Sequence, residues 1–156
     1  MKRNKTIEAV PYVEITKYAG VWYEIGRYTH WYEKGASNVS AEYIPKDGYL
    51  EVINRCQKSN KLREIKGKAF IVPDSGNAKL KVQFQWPFKG NYWIIDLDEN
   101  YQWAVVSNPS QTDLWILYRK PTICNELLRP IVYRLVNRGF ELAKVHWTKQ
   151  TDKTEK

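Results

Sequence analysis

The side chains able to do chemistry in this chain are few and scattered. Its two histidines, His30 and His146, and its two cysteines, Cys56 and Cys124, lie far apart along 156 residues. Covalent catalysis needs a nucleophile within hydrogen-bond reach of a base. Cys56 could approach His30, yet a free thiol is the commoner reading of such a cysteine. The sequence contains no Gly-x-Ser-x-Gly elbow, phosphate loop or His-Glu-x-x-His pair. Two cysteines also make neither a disulfide framework nor a zinc site, which would want several ligands at short spacing. No catalytic residue, cofactor or metal is therefore expected. Binding is the leading class of activity, and catalysis on a lipophilic substrate held in an interior pocket is the alternative.

The abundant chemistry is aromatic. Seven Trp, eleven Tyr and four Phe make up 14% of the chain, more than one core of this size needs, so some rings line a cavity. Lys plus Arg exceed Asp plus Glu by 25 − 17 = 8, a balance compatible with nucleic acid, anionic lipid or plain solubility. Single-strand binders set their rings among Lys and Arg on one exposed sheet face. In AKLKVQFQW, Leu80, Val82, Phe84 and Trp86 share one face while Lys79, Lys81, Gln83 and Gln85 share the other. That separation argues against a nucleic-acid partner and leaves solubility or weak attraction to a membrane surface.

This period-two alternation runs from residue 20 to 120, the pattern of strands with one buried face. Turn signals such as Lys46-Asp47-Gly48, Asp74-Ser75-Gly76-Asn77 and Lys89-Gly90-Asn91 divide it into eight strands: 20–29, 38–45, 49–57, 62–72, 78–86, 91–98, 102–108 and 113–119. Leu127, Leu128, Ile131, Val132, Leu135 and Val136 then recur at helical spacing over about 124–138, with Gly139 in the C-cap place and Pro130 expected to kink the helix or delay its start. A final strand over 143–148 and a flexible tail over 149–156 complete one domain. One helix cannot cover both faces of a sandwich, but it can pack outside a closed barrel, and closure removes the sheet edges. The predicted fold is all-β: an eight-stranded antiparallel up-and-down barrel with one C-terminal helix outside.

Three motifs carry a resemblance. GVWYEIGRY resembles the Gly-x-Trp signature on the first strand of lipocalins, IIDLDENYQWAVVS their acidic turn before strand seven, and LWILYRKP their Arg closing strand eight. The wording is most similar to the branch that holds the bacterial lipocalins and apolipoprotein D. The resemblance implies a calyx closed at one end, with Gly20, Trp22, Asp98, Tyr101 and Arg119 at its base. There Trp22 would plug the floor under a cation–π contact from Arg119. It further implies a carrier of fatty acids, lysophospholipids or similar apolar molecules, homodimers in some homologues, and a bacterial envelope location in the periplasm or outer membrane.

Alternation on such a barrel turns Tyr28, Val39, Tyr43, Asn54, Val82, Phe84, Trp86, Tyr92 and Trp115 inward as ligand-binding candidates. They make an aromatic wall with few polar groups, suited to an acyl chain. The loop THWYEKGASN brings His30, Trp31, Tyr32, Glu33 and Lys34 to the mouth, and Arg27, Tyr28 or Lys34 could meet a carboxylate or phosphate head group. Cys56 falls near the mouth and Cys124 near the base, too far apart for a disulfide. Met1-Lys2-Arg3-Asn4-Lys5 is followed by Glu8, Pro11 and Glu14 instead of an apolar run, with no cysteine nearby for a lipid anchor. Taken as written, the sequence reads as cytoplasmic.

Overall fold

The computed structural model describes residues 7–28, 35–85 and 88–151. Among the residues singled out above, His30 to Lys34, Trp86 and residues 152–156 lie outside these. A four-residue helix α1 (Ile15–Tyr18) leads into β1 (Gly20–Tyr28), followed by β2 (Ser37–Pro45), β3 (Leu50–Lys58), β4 (Lys61–Ile71) and β5 (Lys79–Gln85). Next come β6 (Phe88–Leu97), β7 (Trp103–Ser107), β8 (Leu114–Tyr118), α2 (Asn125–Asn137) and β9 (Val145–Trp147). Each strand from β2 to β8 pairs antiparallel with its neighbour in sequence, and β1 closes the ring against both β8 and β2. Lys89-Gly90-Asn91, expected as a turn, belongs to β6, where Gly90 pairs with Val82.

Among the described residues, β1 pairs with β2 from Gly20 to Tyr23. Further along, its free edge is taken by β9, with Gly26 opposite Trp147 and Tyr28 opposite Val145. Residues 149–151, expected in a flexible tail, continue this insertion. The Asn38 amide donates to the Lys149 carbonyl, and the Gln150 side chain donates to the carbonyls of both Glu24 and Val39. The C-terminal segment thus seals the seam where β1 and β2 part, and backbone groups that would otherwise form an open edge are paired.

Two apolar layers follow from the alternation. Inside the barrel, Trp22, Tyr43, Leu50, Val52, Leu80 and Ile94 belong to one cluster. Outside it, Ile25, Ile95, Val105, Leu114 and Ile116 pack beneath Ile131 and Leu135 of α2. Ile131 and Leu135 are fully buried, each contributing about 1.5–3 kcal/mol. Leu127 and Val136, expected on the same stripe, are exposed, because a helix seated on a convex wall buries a strip narrower than its apolar face. The helix runs through Pro130 without a delayed start. It ends in a Schellman motif: the Phe140 amide donates to Leu135, the Gly139 amide donates to Val136, and Gly139 sits at φ +92°. Among the described residues no helix is long and apolar enough to cross a membrane.

Candidate functional site

The base of the barrel is built first. Trp22 is wholly buried and donates from its indole N–H to the Tyr18 carbonyl at 2.8 Å. The Arg119 guanidinium lies 3.7 Å from the indole centroid. It also donates to the carbonyls of Tyr101 (2.9 Å), Ala19 (3.1 Å), Val21 (3.0 Å) and Lys17 (2.8 Å). Gly20, beside this arginine, sits at φ +101°, a backbone conformation that L side chains rarely adopt. Asp98 shapes the adjoining turn by accepting the Tyr101 amide on its carbonyl and the Gln102 amide on its carboxylate. The Tyr101 hydroxyl accepts the Glu14 amide. The five expected base residues therefore stand together, and their bonds tie α1, β1 and the loops after β6 and β8 into one floor.

Because the guanidinium satisfies several carbonyls at once, Arg119→Ala is expected to cost about 1.5–3 kcal/mol. It should lower the melting temperature while changing acyl-chain affinity little at a temperature where the variant is folded. Paired thermal unfolding and tryptophan-quenching titrations check this. A stable variant that no longer binds would place Arg119 in the ligand site instead.

β1 departs from simple alternation. Its pairing with β8 shifts register between Glu24 and Gly26, a bulge that reverses the parity of everything after it. Tyr28, expected to face the calyx, therefore faces outward. It stacks edge-on against Phe140 at 6.1 Å and its hydroxyl accepts the Glu141 amide. Arg27 is paired instead with Trp115, an inward position, and is fully buried. Its guanidinium donates to the Glu24 carboxylate, which also accepts the Thr148 hydroxyl. The site thus holds a buried ion pair in its wall.

The remaining inward residues show a gradient. On β3, Leu50 and Val52 are buried while Asn54 and Cys56 are half-buried; on β5, exposure rises from 3% at Leu80 through half-buried Val82 to 39% at Phe84. On β4 it rises from 1% at Ala69 to 58% at Ile65, and on β8 Leu117 is buried and Trp115 half-buried. Four inner faces thus open toward the same end, which makes the interior a cup. Phe84 lies across Gly67, where a Cβ would come within 2.6 Å of the ring, so that glycine lets the ring lie flat on the wall. Tyr43 and Tyr92 also face in, whereas Val39 is half-buried within the register shift of β2 between Ser37 and Ser40. Cys56 and Cys124 are both free, and burial pushes the Cys56 thiol up.

One polar feature was not legible in the sequence. The hydroxyls of Tyr18, Tyr92 and Tyr43 form a chain, with oxygens 2.7 Å apart in the first pair and 2.8 Å in the second. Burial drives all three phenols above the ordinary tyrosine range, Tyr43 to about 12. Tyrosines in an unfolded chain titrate near 10. Between roughly pH 10 and 12 the unfolded state therefore loses protons that the folded state keeps. Stability is fully present below about pH 10 and is lost as the pH rises toward 12. Denaturant unfolding at stepped alkaline pH should show this fall. An ultraviolet titration in which every tyrosine ionises normally in the folded protein would contradict it.

A closed barrel with a plugged floor, a covered seam and an aromatic cup defines a calyx for small apolar molecules. The chain belongs to the lipocalin family: the Lipocalin-like domain matches residues 13–150. It is 38% identical over 149 residues to the outer membrane lipoprotein Blc of Citrobacter freundii, covering 94% of this chain and 84% of that protein. It is 33% identical to the temperature-induced lipocalin-1 of Arabidopsis thaliana, covering 97% and 87% of the two chains. It is 31% identical to bovine apolipoprotein D, covering 89% and 78%. Insecticyanin from the tobacco hornworm Manduca sexta shares the fold at a TM-score of 0.79 with 16% identity, covering 95% and 86%. Lipocalins bind small hydrophobic ligands and are in general carriers rather than enzymes.

Proposed function

We propose that this protein binds and carries elongated apolar molecules, fatty acids or lysophospholipids foremost, inside its calyx. The observation that carries this reading is the gradient of exposure along β3, β4, β5 and β8. Side chains that point into the barrel, and would be core in a filled one, become accessible toward one end. Val82, Phe84, Trp115 and Tyr92 supply the apolar wall, with Asn54 and Tyr43 as its sparse polar points. This balance suits a chain-like ligand held by burial and oriented by a few hydrogen bonds.

The rim supports an anionic head group. Arg63 faces inward opposite Cys56 and is exposed, and Lys58 pairs with Lys61 at the tip of the β3–β4 hairpin. Exposed Leu62 on the same tip suits contact with a membrane surface. The Citrobacter relative is named as an outer membrane lipoprotein, and we take the bacterial envelope as the setting in which such a rim would work.

The test is native mass spectrometry of protein purified from its own host, followed by lipid extraction. A fatty acid or lysophospholipid bound near one per chain is the expected result. Protein that carries nothing and whose tryptophans are not quenched by added acyl chains would overturn the proposal.

A further inference from the structure

The tyrosine chain at the floor has an arithmetic of its own. Three hydroxyls carry three protons, and the two hydrogen bonds among Tyr18, Tyr92 and Tyr43 use two of them. Whichever way the hydroxyls rotate, one O–H is left over. Among the described residues no further acceptor bonds any of the three. Tyr92 donates to Tyr43, so the spare O–H is that of Tyr43, which is only 6% exposed and poorly reached by bulk water.

The position of this donor is fixed by the barrel. β2 and β6 stand four strands apart in an eight-stranded ring, which sets them on opposite walls. Tyr43 and Tyr92 both point inward from those walls, and their hydroxyls meet, so the bond between them lies near the barrel axis. Tyr18 reaches the same point from α1 below, stacked on Trp22 with ring centroids 5.0 Å apart. These oxygens therefore lie beside the tryptophan plug, at the floor toward which a chain entering from the mouth descends.

Resting on the carrier reading above, we propose that this floor is a hydrogen-bond donor site for an oxygen at the leading end of the ligand. The ligand class is an acyl chain whose buried end carries a hydroxyl or carbonyl oxygen, not a bare methyl group. A buried donor without a partner is costly, and a hydroxyl carried into an apolar cup is costly too. Each removes the other's penalty. A phenol is protonated at neutral pH, so the donor keeps its proton there.

The experiment compares palmitic acid with 16-hydroxypalmitic acid by tryptophan quenching, on the wild type and on the triple variant Tyr18→Phe, Tyr43→Phe, Tyr92→Phe. Removing one hydroxyl at an end is not enough, because a two-hydroxyl chain still has a proton to spare. Removing all three leaves no unpaired partner behind and is close to neutral for folding. The wild type should bind the two acids within about threefold of each other, and the triple variant should bind the hydroxy acid about tenfold or more weakly than it binds palmitic acid.

Equal loss of both acids in the triple variant would mean that Tyr43 and Tyr92 act only as parts of the wall, and would overturn the donor site. If both acids bind the triple variant as they bind the wild type, the donor site does not exist. Should the triple variant not fold, the wild type decides. Near-equal affinities support the site, and a hydroxy acid weaker by about tenfold or more removes it. Failure of both acids to bind the wild type would instead remove the carrier reading and this proposal with it.

Discussion

Trp22→Ala is expected to lower stability by about 3–5 kcal/mol, the usual cost of deleting a large buried ring. For a protein of this length that corresponds to a fall in melting temperature of roughly 6–20 °C. The indole is wholly buried, with the Tyr18 ring on one side and the Arg119 guanidinium 3.7 Å from its centroid. Its loss opens a cavity in the floor that flanking residues cannot fill, since Arg119 is held by carbonyls of four separate residues. Trp22→Phe, which keeps an aromatic face for the arginine, should recover most of the loss. Trp22→Ala combined with Arg119→Ala should cost less than the sum of the two, because one cation–π contact is counted in both. Differential scanning calorimetry of the four proteins measures this coupling. Strict additivity would mean that the stacked geometry carries no energy.

The base was legible through its three motifs, which resemble those of a known family, and the inward wall through local rules. A strand's parity is set by its own sequence, so Tyr43, Val82, Phe84 and Tyr92 could be turned inward without knowledge of their neighbours. Parity failed at Tyr28, where the bulge after Glu24 inserts one residue and exchanges the two faces. The sequence held a signal for it: Gly26 in mid-strand, a position that weakens a strand and often marks a bulge or a close approach. A Cβ at Gly26 would stand 3.0 Å from the Trp147 ring, so the glycine serves the seating of β9 as well. Other features depend on contacts too distant in sequence to read. The Tyr92–Tyr43 bond joins positions 49 residues apart, and the seam is sealed by residues more than 110 positions from their partners. Helix α1 escaped notice because four residues are too few to show a period.

The buried pair Glu24 and Arg27 gives the second large effect. Glu24→Ala is expected to cost about 3–5 kcal/mol, because the guanidinium is 0% exposed and would lose its carboxylate without gaining water. Replacing the pair by apolar residues of similar size, Glu24→Leu with Arg27→Met, should be near neutral or stabilising by about 1–4 kcal/mol, since the cost of dehydrating two charges disappears. The pair therefore contributes something other than net stability. The structure indicates what that is: the Glu24 carboxylate accepts the Thr148 hydroxyl, and the Glu24 carbonyl accepts the Gln150 side chain. One residue of β1 thus holds the segment that seals the seam. In the apolar double variant, amides of residues 145–151 should exchange with solvent faster while those of β3 and β7 are unchanged. Affinity for fatty acids should change by less than about threefold, because Arg27 already faces a carboxylate and offers little net charge to a second. Unchanged exchange with a large loss of fatty-acid affinity would reverse the assignment and make Arg27 the partner of the ligand's head group.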